Sequence, residues 1–253
     1  MKSSQVHYLL IFVVFLALSG CFDAPEFPTT PQIEFRGIEY VETEFSDSLA
    51  LTFYFEDGDG DIGLRSNETT PPYHSKNYIL DSDLRFVTFR GEDYRPPFYS
   101  VNLFDGEPVF FSDEDTRPPY NCLNYQFDSL IINYGDSTAL IEDTLYVTAN
   151  EFNKNLHIEL YRKIRGEYVN INEEFPDDAT CTETFSARFP VFADENLGKP
   201  LSGEISYSMI SAGFGPIFRN DSIMVEFYIY DRALNKSNVV RSPDFVLADI
   251  ARN

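Results

Sequence analysis

The residues best suited to chemistry lie in the run Asp57-Gly58-Asp59-Gly60-Asp61-Ile62-Gly63. On a straight strand these three carboxylates share one face with neighbours roughly 6–7 Å apart, too far to meet around one ion whose ligands lie about 2.3–2.6 Å away. The interleaved glycines lift that restriction, because a residue without Cβ lets the backbone curl until the oxygens converge. Three converging negative charges call for a cation, and an oxygen-only ligand set favours calcium. The same residues also suit an acidic hairpin turn that holds no metal.

Asp57, Asp59, Asp61 and Glu68 stand at the first, third, fifth and twelfth positions of a stretch that in this spacing resembles an EF-hand loop, and the resemblance implies Glu68 as a further ligand. Ile62 departs from it at the sixth position, where that loop has glycine, and no helical pattern flanks the run. A second copy of the surrounding segment lies 174 residues on. Asp47-Ser48-Leu49 leads through Phe53-Tyr54-Phe55 to Asp57, Asp61 and Gly63, as Asp221-Ser222-Ile223 leads through Phe227-Tyr228-Ile229 to Asp231, Asn235 and Ser237. The second copy has Ala233 where the first has Asp59. One structural calcium is therefore expected at the first turn and none at the second.

Three double prolines each precede an aromatic residue: Pro71-Pro72-Tyr73, Pro96-Pro97-Phe98 and Pro118-Pro119-Tyr120. A stiff loop can display a ring for stacking on a sugar or a partner, and Arg95 and Arg117 directly precede two of the three pairs. These residues form a candidate ligand-binding set; the alternative is that the rings cover the ends of the fold. Trp, the ring most used for sugars, is absent.

The elements that must position these groups are strands. Apolar residues alternate in Ile223, Val225, Phe227 and Ile229 and in Leu156, Ile158 and Leu160, and similar short runs recur from Ile33 to Leu247 between Gly, Pro, Asn and Asp clusters. The expected fold class is all-β, with antiparallel sandwiches of the immunoglobulin or fibronectin type and no substantial helix. The repeat describes either two related units, 32–137 and 138–253, or two edges of one larger sandwich. The first is the expected organisation, since Tyr134-Gly135-Asp136-Ser137 breaks the alternation.

At the N-terminus Lys2 precedes an apolar run of eleven residues, Tyr8 to Leu18, too short to span a bilayer and right for a signal-peptide core over residues 1–20. The run ends in Leu18-Ser19-Gly20-Cys21, which resembles the cleavage box of bacterial lipoproteins. The resemblance implies that Cys21 becomes a lipidated N-terminus, followed by a Pro-rich tether over 21–31. Several segments, among them Glu151-Phe152-Asn153-Lys154-Asn155 and Gly203-Glu204-Ile205-Ser206-Tyr207, are similar to β-rich lipoproteins of Bacteroidota-type bacteria. That similarity implies the outer membrane as the location and membrane attachment through the lipid. With Cys21 so used, Cys122 and Cys181 remain, and in an exported protein the simplest reading is one disulfide closing a loop of about 60 residues, with two unpaired buried thiols as the alternative.

Lys and Arg number 19 against 41 Asp and Glu, a formal charge of -22, which opposes any approach to nucleic acid. The sequence holds no nucleophile elbow, zinc-binding His pair, phosphate loop or dinucleotide fingerprint. The expectation is a non-catalytic binding or structural module of the cell envelope, with a glycan or an envelope protein as partner; a glycan-binding subunit of a surface uptake system, or a hydrolase, are the alternatives.

Overall fold

Alternation along Asp47–Asp57 turns every second side chain inward, so that Leu49, Leu51, Phe53 and Phe55 are all buried while their neighbours face outward. This strand is the centre of the computed structural model, which describes residues 26–42, 46–102, 107–134, 137–171, 185–192, 197–211, 214–218 and 220–252. The expected signal peptide, Cys21 and Cys181 lie outside the described residues.

The strands, in chain order, are β1 (Gln32–Glu42), β2 (Asp47–Asp57), β3 (Lys76–Leu80), β4 (Phe98–Val101), β5 (Val109–Ser112), β6 (Tyr125–Tyr134), β7 (Ser137–Ala149), β8 (Leu156–Ile164), β9 (Glu167–Asn170), β10 (Leu201–Ser211), β11 (Ile223–Ile229), β12 (Val240–Arg241) and β13 (Ala251–Arg252). Among the described residues, helical structure is confined to Ile171, the single turn α1 (Phe214–Phe218) and 3-10 turns at Glu151–Asn153 and Leu247–Asp249. Among the described residues no helix is long and apolar enough to cross a membrane. The all-β class is as the alternation implies.

Two four-stranded sheets, β10-β2-β1-β13 and β12-β11-β8-β9, enclose the main core. Their inward residues interdigitate, and the rings of Phe53 on β2 and Phe227 on β11 lie 5.4 Å apart. Those two rings hold equivalent places in the two copies of the repeat, so the copies face each other across one core. A third sheet, β5-β4-β3-β7-β6, is built wholly from the stretch between them and carries two smaller clusters of its own, one around Ile79, Phe98 and Tyr146 and one around Tyr78, Leu130 and Leu145.

This corrects the expected division at residue 137. That position is the tip of the β6–β7 hairpin, whose strands stay in register from Tyr125↔Tyr146 to Tyr134↔Ser137. The first and last parts of the chain pair instead: β2 and β10 run together from Asp57↔Leu201 to Asp47↔Ser211, and β13 lies parallel to β1. The observed organisation is one sandwich made from the described segments before and after residues 76–149, which are inserted as the third sheet. Alternation marks which face of a strand is apolar, but it does not say which strand lies alongside. Leu84–Phe89 and Phe185–Phe189, although rich in apolar residues, contribute only isolated bridges, Leu80↔Phe86, Thr88↔Leu145 and Leu156↔Ala187.

The expected tether is shorter than the composition implied. Pro31 is buried, and the carbonyl of Pro28 accepts a hydrogen bond from the Gly58 amide at 2.8 Å, so residues 27–31 lie against the sandwich.

Candidate metal centre

Asp57 is the last residue of β2 and stands at an inward position of the strand, on the same side as Phe53 and Phe55. Its side chain is completely buried. A carboxylate withdrawn from water needs donors or a cation, because burial without them costs several kcal/mol or drives it to take up a proton. One donor comes from the turn itself: the amide of Asp61 donates to Asp57 Oδ2 at 2.9 Å. The chain reaches that geometry through Gly60, at φ 63°, and leaves it through Gly63, at φ 96°. Gly63 is also closely packed, since a Cβ there would lie 2.6 Å from the Pro190 carbonyl oxygen and 2.7 Å from Val191 N.

The second turn docks onto the first. Ile62 and Asp231 form a bridge, the Arg232 amide donates to the Asp61 carbonyl at 3.1 Å, and the Ala233 amide donates to Asp61 Oδ2 at 3.1 Å. The Gly198 amide donates to the Asp59 carbonyl at 2.5 Å. Five segments thus meet here: the residues before β1, the two turns of the repeat, residues 189–191 and the approach to β10.

What remains is a set of acceptors without donors. Oδ1 of Asp57, Oδ1 of Asp59 and Oδ1 of Asp61 are each buried with no hydrogen-bond partner. The three carboxylates offer oxygens that all lie within 4.8 Å of one another. One ion with ligands about 2.3–2.6 Å away bridges oxygens up to that separation, and calcium's irregular shell accepts three carboxylates with backbone carbonyls or water. Burial, and then the neighbouring carboxylates, push Asp57 up to about 7 and Asp61 up to about 6. Burial also raises Asp231, against the hydrogen bonds from Asn235 that lower it. In chemical terms the centre can hold a hard cation or retain protons.

Glu68, the expected fourth ligand, is turned elsewhere. Its carboxylate receives Nη1 of Arg232 at 2.8 Å and Nη2 at 2.5 Å, together with the Arg65 amide at 2.7 Å. The hydrogen bond from Arg232 holds Glu68 below the usual carboxylate range. A ligand set including Glu68 is therefore corrected to the three aspartates: a salt bridge with Arg232 takes the oxygens that the spacing had offered to the ion.

The double-proline set does not converge. Phe98 is buried in the third sheet. Tyr73 is half-buried and donates its hydroxyl to the Arg232 carbonyl at 2.8 Å. Tyr120 is displayed at 60% exposure, its ring stacked on Tyr125 at 5.9 Å and against the edge of Phe89. Arg117 clasps Asp115 and lies over the Tyr94 ring, while Arg95 is exposed and its carbonyl accepts the Ser82 amide.

Sequence reasoning missed Arg188 and Asn238. The Arg188 guanidinium donates to the carbonyls of Arg65 (3.1 Å), Glu68 (2.8 Å) and Tyr73 (2.9 Å), and to that of Asn153, fastening the loop after the first turn. Asn238 clamps both backbone groups of Ile33 at 2.8 and 2.9 Å. Neither has a signal in the chain, because both act on distant backbone. A cavity of about 530 Å³ opens between the third sheet and the sandwich, lined by Lys76, Asn124, Asn150, Glu151 and His157 among others. The amide donors of Asn124 and Asn150 are spent there on backbone carbonyls. Comparison with protein-family models, with curated proteins and with solved structures finds no match for this chain.

Proposed function

We propose that the chain is a lipid-anchored protein of the cell envelope, attached through Cys21 to the outer membrane, whose sandwich acts as a non-catalytic binding or structural module and is closed at one end by a structural calcium. The observation that carries the calcium is the group of three buried carboxylate oxygens without partners at Asp57, Asp59 and Asp61. The location rests on the signal peptide and the Leu18-Ser19-Gly20-Cys21 box. A disulfide between Cys122 and Cys181 belongs to the same reading of an exported protein. The imidazole of His157 is occupied structurally: Nε2 lies 3.0 Å from the Glu151 carbonyl and 3.2 Å from that of Lys154, so it carries the proton and donates. That use suits a module better than a hydrolase.

Thermal melting tests the calcium. At a hundredfold excess over Kd a ligand stabilises by about 2.7 kcal/mol, or a rise in Tm of about 5–10 °C for a chain of this size. Identical melting in millimolar calcium and in chelator removes the ion from the proposal. One observation favours the glycan-binding alternative, the displayed ring of Tyr120 beside Phe89. Loss of binding to a glycan array on Tyr120→Ala supports it, and an array without binders counts against it.

A further inference from the structure

Gly58 sits between two of the aspartates, and its position is also where residues before β1 touch the turn. Its amide donates to the Pro28 carbonyl at 2.8 Å. A Cβ at Gly58 would run into the Phe27 carbonyl and lie 2.9 Å from Pro28 C and O, so the backbone of 27–28 packs directly on the Gly58 backbone. The peptide that receives this segment is therefore the link between Asp57 and Asp59, each of which carries an unpartnered buried oxygen. Asp57 is wholly buried and its Oδ1 has no hydrogen-bond partner, which is a second observation beyond the clustering of acids.

From these contacts we propose that cation binding at Asp57, Asp59 and Asp61 is a clasp for the segment leading into β1: with the ion present residues 27–31 lie on the turn, and without it they detach. The proposal rests on the calcium reading given above. Three like charges at this separation repel strongly in a site withdrawn from water. Without a cation, that repulsion is relieved by widening the turn, and the Asp57-Gly58-Asp59 backbone is the part that has to move. The Gly58 amide then loses its alignment with Pro28 O. Gly37 and the bulge between Phe35 and Gly37 lie farther along β1, and Asn238 still holds Ile33, so the detachment stops at the start of the strand. Five residues, 27 to 31, span at most about 17 Å as extended chain, which bounds the reach gained on release. For a module tethered by its N-terminus, the ion would then set how closely the sandwich is held to its anchor.

The absence of Trp from the chain supplies a clean reporter. In the full mature chain, Phe27→Trp introduces the sole indole, and acrylamide quenching of its fluorescence is measured in calcium and in chelator, with calcium binding followed by calorimetry on the same sample. The expected result is quenching several-fold stronger in chelator. Adding Gly58→Ala, whose Cβ displaces the segment, is expected to leave the indole equally accessible in both conditions. Amide exchange at Gly58 in the unsubstituted chain gives the same comparison without any substitution: slow exchange in calcium and fast exchange in chelator. Equal quenching and equal Gly58 exchange in both conditions, with calorimetry registering calcium, overturns the clasp and leaves the calcium site standing. Absence of calcium binding in calorimetry overturns both.

Discussion

The two turns of the repeat begin alike and end differently. In each, a buried aspartate at or just past the end of a core strand accepts the amide of the residue four positions on: Asp61 N to Asp57 Oδ2 at 2.9 Å, and Asn235 N to Asp231 Oδ1 at 2.7 Å. The second aspartate then has its other oxygen satisfied by Asn235 Nδ2 at 2.8 Å. The first has no such donor, because Asp61 presents a carboxylate where Asn235 presents an amide, and Asp59 adds another where the second copy has Ala233. A difference of two side chains separates a turn that satisfies itself from one that requires a cation or protons. A buried acceptor is neutral in cost when its donor is close at hand and expensive when another acceptor replaces that donor.

If this is the physical distinction, the first turn can be made into the second. The double substitution Asp59→Ala with Asp61→Asn supplies the missing amide and removes the excess charge. It is expected to abolish the calcium-dependent rise of about 5–10 °C and to raise Tm in chelator above that of the unsubstituted chain. A calcium response that survives this change breaks the comparison. The converse is Asn235→Asp, which removes the Nδ2 donor from the buried Asp231 carboxylate. Loss of one partner from a buried acceptor costs about 1–3 kcal/mol, and a drop of about 3–10 °C in Tm measured in chelator is expected. An unchanged Tm would mean that Asp231 does not depend on Asn235.

A third expected effect is on pH. Asp57 and Asp61 titrate at about 7 and about 6 in the folded, cation-free chain, above the usual 3.8. Between those limits the folded state holds more protons than the unfolded one, so this contribution to stability is fully present below about pH 4 and is lost as pH rises through 6 to 7. Denaturant midpoints in chelator are expected to fall across that window relative to the Asp59→Ala, Asp61→Asn chain. Calcium is expected to compensate most at the upper end, because it competes with protons for the same oxygens. A midpoint difference between the two chains that stays constant from pH 4 to 7 excludes the raised values.

Part of this comparison was legible in the residues alone. The interleaved Asp and Gly, and the pairing of Asp59 with Ala233 across the repeat, already distinguish a charged turn from a milder one. The assignment of Glu68 was misplaced because spacing along the chain counts residues and does not register Arg232, 164 positions away, which takes both of its oxygens. Arg188 was invisible for a related reason: its partners are four backbone carbonyls, which every residue possesses. The short strands β3, β4 and β5 leave little signal in the residues. Runs of four or five residues such as Phe98–Val101 leave little room for alternation to register, and they are held as strands by pairing with β7 and with one another.

From the sequence by itself came the all-β class, through period-two alternation, and the acidic character of the first turn, through carboxylates separated by glycine. Both depend on local properties: which face of a strand is apolar, and how far a backbone can bend. Tertiary structure alone decided that the segments flanking residues 76–149 make one sandwich, that the two repeats face each other across its core, and that their turns meet beside Pro28. Strand partners are selected by the burial of whole faces and by closure of the hydrogen-bond ladder, which are properties of the assembled sheets. The same assembly buried Asp57 and left its Oδ1 without a donor.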